Sequence, residues 1–393
     1  MTVTVAHRVL VLTTGYQPTI GGAETYARTV AHGLAACGHD VRVVTDHVAG
    51  TPDRTVEGPV EVIRLRRYRE LLDDESKLAW EQLYFGVLPE LAEVLLDRRP
   101  DVVLANSLET TIVGRIVADQ WEVPLIGAYH EQAPEVEPFG HGRLTTVYGR
   151  LAPDLILAGS RFYAARARRH LPADRVRLVY HGVDTDLFRP DLNRQQTRAR
   201  HGVGADQLLI LNSGRLKERK GQLELIRAFA MVDDPRAQLL IVGSVSSASL
   251  GYAELLESEI DRLGLRDRAA IARDVAYSSM PTVLAAADIV AQPSLAEGLG
   301  LAVLEAMSAG RPVVATRIGG FDELRMTTDN AVLIDPSDVP GLARALARLV
   351  ADGDGRAALG RAGRHHVVEN FSLKAMIEQT DLAVRGVIAR CSR

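Results

Sequence analysis

A chain of 393 residues is too long for a typical single hydrophobic core and predicts two domains of roughly 200 residues each. Its 47% apolar and 24% charged residues suit a soluble globular protein, and a net charge of −4 gives no reason to expect nucleic acid as a partner. No apolar run approaches the ~20 residues of a membrane span, and Cys37 and Cys391, without metal-ligand spacing, read as free thiols of a reducing, cytoplasmic protein.

Arg8 to Thr14 predicts a β-branched strand, Gly15 to Gly22 a loop, Ala23 to Ala36 an amphipathic helix, and Val41 to Thr45 the next strand. This βαβ unit implies a parallel sheet covered by helices, whose ligands lie at the strands' carboxyl ends. The loop lacks G-x-G-x-x-G, which weakens a dinucleotide reading, yet Gly21-Gly22 at a helix start offers bare N–H groups to an anion. A tight turn alone is the competing account.

Val60 to Leu65 is a further strand. The basic run Arg64, Arg66, Arg67 and Arg69 would suit peripheral membrane contact, but Glu70, Asp73, Asp74 and Glu75 follow directly and favour a solvated loop. A helix from Lys77 to Leu96 precedes strands at Asp101–Ala105 and Pro124–Tyr129, with a helix at Thr110–Asp119 between them. His130 stands just past the second strand, at the edge where such sheets are active. Glu131, Glu135 and Glu137 follow, and if this segment lines a binding site its negative charge would suit a cationic ligand. Strands at Asp154–Ala158 and Val176–Tyr180 flank a helix capped by Ser160. Asp184-Thr185-Asp186 formally reads D-x-D, a pattern that holds a divalent metal in some transferases. The Arg-rich stretch from Phe188 to Asp206 reads as an interdomain linker.

The second half repeats the α/β pattern. After the strand Leu208–Ser213 comes Gly214-Arg215-Leu216-Lys217-Glu218-Arg219-Lys220-Gly221, leading into a helix from Gln222 to Met231. Basic charge elsewhere is almost all Arg, so two of the four lysines in one loop stand out. Arg215 and Lys220 would make a diphosphate clamp, a planar fork beside a compact ammonium. Strands follow at Gln238–Gly243 and Ala269–Ala272, and Ser279 caps a helix to Ala287. The strand Asp288–Gln292 leads to SLAEGLGLAVLEAMSAG, Ser294 to Gly310. Glu297 precedes Gly298, Leu299, Gly300 and Leu301, and Glu305 lies eight positions on among Leu304, Ala306 and Met307, where a charge needs a partner. Eight helical residues rise about 12 Å, so the two carboxylates would grip different parts of one elongated ligand. Later elements are Pro312–Thr316, Asn330–Ile334 and helices at Pro340–Asp352, Gly355–Glu369 and Ser372–Arg390.

The E-x7-E spacing with its glycines, together with G-R-x-x-x-x-K-G, resembles the retaining glycosyltransferases of family 4, over nearly the whole chain. The resemblance implies a GT-B fold, two Rossmann-like domains facing each other across a cleft. It implies an acceptor domain at 1–190, a nucleotide-sugar domain at 191–371, and a last helix at 372–393 crossing back to the first domain. Arg215 and Lys220 would bind the donor's phosphates. Glu305 would bind the ribose, Val275 the nucleobase, and Glu297 with Gly298, Leu299, Gly300 and Leu301 the sugar and distal phosphate. Gly22 would approach the diphosphate, His130 the transferred sugar, and Glu24, Glu131 and Glu135 the acceptor.

In this family the turn at Asp184 commonly carries such residues without metal, so neither metal nor cofactor is expected. The implied chemistry is front-face glycosyl transfer with retention from a nucleotide sugar to an acceptor hydroxyl. UDP-sugar is the favoured donor, with GDP- and ADP-sugars open, and the acceptor is a small molecule or glycan. The turn reads Glu-Gly-Leu-Gly where many relatives carry Phe as the third residue, which leaves the sugar open. A sugar phosphorylase, a nucleotide-sugar epimerase and a non-catalytic nucleotide-sugar-binding protein are the alternatives. The sequence assigns no oligomeric state.

Overall fold

The computed structural model describes residues 5–19, 22–66, 68, 87–95, 98–129, 145–245, 250–273, 275–297, 299–324 and 326–391. Contacts divide the chain into two compact units, Met1–Tyr180 with Met376–Arg393, and His181–Ala375. Each is built on its own sheet, as two Rossmann-like domains require.

In the first unit the strands are β1 (Arg8–Leu12), β2 (Asp40–Asp46), β3 (Arg54–Glu57), β4 (Val60–Leu65), β5 (Val102–Ala105), β6 (Leu125–Tyr129), β7 (Leu155–Ala158) and β8 (Val176–Leu178), ordered β3-β4-β2-β1-β5-β6-β7-β8. All neighbours run parallel except β3 and β4. β5 and β7 are buried along their whole length and read as continuous apolar runs, as strands covered on both faces must. The hairpin strand β3 was not expected from sequence. It is a short, partly exposed edge with no apolar repeat to announce it.

At the end of β4 the first two arginines of the basic run differ, Arg64 being buried and Arg66 exposed and ion-paired. Arg64 is buried, donating to Thr55 Oγ1 at 2.9 Å and to the Gln17 carbonyl at 3.1 Å, and Arg66 pairs with Asp53 at 2.8 Å. Arg67 and Arg69 lie outside the described residues.

The second unit carries β9 (Leu208–Ser213), β10 (Ala237–Gly243), β11 (Ala269–Arg273), β12 (Ile289–Gln292), β13 (Val313–Thr316) and β14 (Val332–Ile334), all parallel in the order β11-β10-β9-β12-β13-β14. Its core joins Ile210, Ile241, Ile289 and Val314 of the sheet to Leu225, Phe229, Leu256, Leu342 and Leu346 of the covering helices.

The stretch expected to be a linker is a constructed part of this unit. It contains the helix Gln195–Arg200, and buried Arg198 donates to Asp288 Oδ2 at 2.9 Å and to the carbonyls of Gly204 and Gln207 at 2.8 and 2.6 Å. The division accordingly falls at Tyr180 rather than 190. Val183 forms a β-bridge with Ser372, and Ser308 Oγ donates to the Phe188 carbonyl at 2.7 Å, which ties residues 183–188 to the second unit.

The last helix, Leu373–Cys391, packs on the first unit from Met376 onward. Ile377 lies where a side chain at Gly33 would stand, 2.3 Å from the position of its missing Cβ, and Asp381 meets the ring of His39 at 2.6 Å.

Candidate functional site

At the carboxyl ends of β9, β12 and β13 a buried polar network sets the loops. Asn212 donates to the Ala291 carbonyl at 2.8 Å and to Gln292 Oε1 at 3.2 Å, and Gln292 Nε2 donates back to the Ser213 carbonyl at 3.0 Å. The Thr316 hydroxyl donates to the Ser294 carbonyl. Buried amides with partners on both sides fix one arrangement of the loops they join.

The two motif loops are closed against each other. Gly221, at φ +67°, lies so close to Pro293 that a Cβ would stand 2.0 Å from the proline carbonyl oxygen. The Arg219 carbonyl accepts from Leu295 N at 2.7 Å. Across this seam Lys220 Nζ donates to Glu297 Oε1, and Arg219 Nη1 reaches Glu297 Oε2 at 3.2 Å and the Ala296 carbonyl at 2.9 Å. Ser294 Oγ adds a 3.1 Å bond to Oε1. Glu297 is therefore a nearly buried carboxylate gripped on both oxygens. It lies in the loop ahead of the helix Leu301–Ser308 and not in that helix's first turn, so helical rise does not measure its separation from Glu305.

Glu305 sits within that helix. Its sequence neighbours demand a partner, and the partner is Tyr277, whose hydroxyl donates to Oε1 at 2.8 Å. Burial pushes the Glu305 carboxyl up to about 7, against the pull of the Tyr277 bond and the Lys220 charge. Gly300, at φ +84°, starts the helix with no side-chain cap, which leaves first-turn N–H groups open to an anion. A Cβ there would stand 2.1 Å from the ring of Phe321. Leu299 is buried and Leu301 half-buried beside it, and Gly298 lies outside the described residues.

Arg215 is exposed, and its guanidinium makes no hydrogen bond or ion pair among the described residues. Lys220 passes over Gly214, whose absent Cβ would lie 3.7 Å from Nζ. Half-buried Val275 lies between β11 and the short turn Tyr277–Ser279. Ser279, expected as a helix cap, makes no capping bond, whereas Ser160 accepts from Tyr163 N as expected. Asp184 Oδ1 accepts from the N–H groups of Asp186 and Leu187 at 3.1 and 2.9 Å, so one carboxylate of the D-x-D serves its own turn.

In the first unit Gly22 opens the helix Gly22–Ala36, exposed and with nothing near its missing Cβ. Glu24 folds over Gly15, and Asn106 Nδ2 ties the helix start to β1 through the Ala23 carbonyl at 2.9 Å and Thr13 Oγ1 at 3.2 Å. His130, Glu131 and Glu135 lie outside the described residues.

Arg219, Ser294 and Tyr277 are given no role by the sequence alone. Arg219 held one signal, its position directly before the motif lysine. Tyr277 held none beyond lying two residues past Val275. A cavity of about 500 Å³ opens elsewhere on the second unit, against β14 beside Arg317, Arg344 and Arg348, and shares no residue with the motif loops. The arrangement on the second unit comprises one free guanidinium, two cations clamped on a carboxylate, an uncapped helix start and a second, desolvated carboxylate. It suits an elongated ligand with anionic groups in the middle and hydroxyls at its ends.

The model of the family described as Glycosyl transferases group 1 matches residues 193–366, and that described as Glycosyltransferase Family 4 matches residues 20–187. The D-inositol 3-phosphate glycosyltransferase of Xylanimonas cellulosilytica is 31% identical over 371 residues, which span 89% of this chain and 88% of the relative. Among solved structures, sucrose-phosphate synthase from Thermosynechococcus elongatus aligns with a TM-score of 0.80 at 24% identity, over 98% of this chain and 100% of its own. HepE of Anabaena in complex with UDP aligns at 0.77 with 25% identity, over 96% of this chain and 100% of its own.

Proposed function

This chain belongs to glycosyltransferase family 4, and on that premise we propose that it is a retaining, metal-independent hexosyltransferase using a nucleotide diphosphate sugar, UDP-sugar by preference. The observation that carries the reading is the double clamp on Glu297. A carboxylate with cations on both oxygens is a poor covalent nucleophile, so retention through a glycosyl-enzyme ester, which needs a free carboxylate close to the anomeric carbon, is disfavoured. Glu297 then serves to hold sugar hydroxyls while Lys220 and Arg215 meet the phosphates.

In the proposed reaction the bond from the anomeric carbon to the phosphate oxygen breaks, and the nucleoside diphosphate departs. The acceptor oxygen bonds the same face, and its proton passes to the departing phosphate oxygen. Arg215 and Lys220 stabilise the negative charge that develops on the diphosphate. His130 would position the sugar. UDP is favoured because a solved relative at 25% identity holds it. Glu305 is assigned to the ribose hydroxyls, and Val275 to the base.

For the acceptor we propose a cyclitol or sugar hydroxyl. A cyclitol is supported by the name of the relative 31% identical to this chain. The acidic run Glu131, Glu135, Glu137 favours an amine-bearing form, whereas the relative's name favours a phosphorylated one. Thermal-shift screening against UDP, GDP and ADP sugars, then mass spectrometry and anomeric coupling constants of products from aminocyclitol, inositol and inositol phosphate acceptors, tests each part. Retained configuration with UDP-sugar and preferred amine acceptors is the expected result. An inverted product would overturn the mechanism, and preferred turnover of the phosphorylated acceptor would overturn the amine. Phosphate-dependent breakdown of a glycoside, or epimerisation without acceptor, would replace transfer altogether.

A further inference from the structure

Tyr277 and Glu305 lie 28 positions apart in sequence, one on the turn after β11 and one in the helix Leu301–Ser308, and are joined by a 2.8 Å bond from the phenol to Oε1. A tyrosine hydroxyl has one proton to give and lone pairs left to accept with. Its proton is committed to Glu305, so Oη presents an acceptor beside the carboxylate. Oε2 of Glu305 has no hydrogen-bond partner among the described residues and offers a second. A cis-diol brings two O–H donors and requires two adjacent acceptors.

The ring is placed in advance. It meets the edge of buried Phe188, with centroids 6.2 Å apart and planes at 65°. Burial and the neighbouring Glu305 and Asp184 charges oppose loss of the phenolic proton, so Tyr277 remains a donor to Glu305. Lys220, shared with Glu297, is the cation whose charge reaches Glu305. These groups keep the carboxylate and phenol as a fixed pair rather than two independent side chains.

We propose that Tyr277 is a specificity-determining residue of the donor site, its Oη and Glu305 Oε2 together accepting from the two ribose hydroxyls and so selecting ribonucleotides over deoxyribonucleotides. The inference rests on the assignment of Glu305 to the donor's ribose. A site that pairs with a substrate hydroxyl rejects the analogue lacking it, because its acceptors are then left desolvated and unfilled.

The test is calorimetric and uses the full chain. Whichever of UDP, GDP and ADP the wild type binds most tightly is compared with its 2′-deoxy and 3′-deoxy counterparts, in wild type and in Tyr277→Phe. Phe keeps the ring against Phe188 and removes only the hydroxyl. The expected result is a ribo-to-deoxy affinity ratio that falls about three- to tenfold in the variant for one of the two deoxy forms, because the ribonucleotide weakens and that deoxy form does not. A merely structural role would weaken all three nucleotides alike and leave the ratio unchanged. An unchanged ratio in a variant that still binds nucleotide overturns the inference and spares the donor-site reading. Failure of the wild type to bind any of the three nucleoside diphosphates overturns both.

Discussion

Lys220 and Glu297 form an ion pair 77 positions apart in sequence, with the carboxylate 7% and the ammonium 13% exposed. Arg219 holds the second oxygen, so the anion's orientation does not depend on the lysine alone. In the proposed reaction Lys220 keeps its bond to Glu297 and offers phosphate another of its three N–H donors. Glu297→Ala should lower kcat by about 10²–10³, the usual cost of one preorganised polar group, while UDP affinity changes less than tenfold. Steady-state kinetics with calorimetric UDP binding checks both. Unaltered turnover would remove Glu297 from the sugar site.

Arg215 is the counterpart case. Its side chain is exposed and pairs with nothing described, so the fold gains little from it. Arg215→Ala should leave stability within about 0.5 kcal/mol of wild type and still lower kcat/KM by about 10²–10³ through lost charge stabilisation. Urea unfolding and initial rates are the two measurements. A large stability loss with normal rates would mark it as structural.

Much of this arrangement is legible in the sequence, and what is missing has a common cause. Strand positions follow from apolar runs, and the E-x7-E and G-R-x-x-x-x-K-G spacings pick out the loops that the second unit brings together. Both are local patterns. The partner of Glu305 is not, because tertiary packing decides that a tyrosine rather than a cation completes that carboxylate. The supposed linker failed for a related reason. Arg194 and Arg198 look like solvated charge until Asp288, about 90 positions away, is placed between them.

Glu305 predicts a pH dependence. Burial pushes it up to about 7 from its ordinary 4.5, so the protein without donor holds it mainly as the acid below about pH 7 and as the carboxylate above it. That contribution to stability is complete at or below about pH 4.5 and is lost as pH rises through 7. Ribose hydroxyls donate to the charged form and pull the other way. Affinity for a UDP-sugar should therefore rise as pH climbs toward 7 and level off above it, by about tenfold in all for each pKa unit that binding removes. A nucleotide sugar is the right probe because it lacks the phosphate ionisation near pH 6 that UDP carries. Glu305→Gln should bind weakly and without this slope. A persistent slope in the variant would assign the titration to another group.

Gly300 predicts a loss with two readouts. Alanine there would meet the buried Phe321 ring and a backbone of φ +84° that L-residues rarely adopt. Gly300→Ala should cost on the order of 2 kcal/mol and weaken donor binding with it, since the uncapped helix start would shift. Wild-type stability and binding together would mean that the turn tolerates a side chain.

The last helix is held to the first unit by a polar contact as well as by Ile377, and that contact can be cut selectively. His39 Nδ1 accepts from the His7 N–H at 3.1 Å, which leaves Nε2 to donate to Asp381 Oδ1 at 2.6 Å, with Arg385 Nη2 3.1 Å from the same nitrogen. Arg385 donates to the same oxygen at 2.8 Å. Burial opposes ionisation of Asp381, but Arg385 and His39 outweigh it and hold the carboxyl below its usual range. Its contribution to stability is therefore present above that range and fades only as pH falls through it. Asp381→Ala leaves a fully buried imidazole N–H without its acceptor and should cost about 2–3 kcal/mol at neutral pH. Asp381→Asn keeps an oxygen acceptor and should cost clearly less. Urea unfolding of both variants at pH 7 separates lost charge from a lost hydrogen bond. If both stay within about 0.5 kcal/mol of wild type, the helix is anchored by its apolar face alone, with Ile377 over Gly33 as its principal contact.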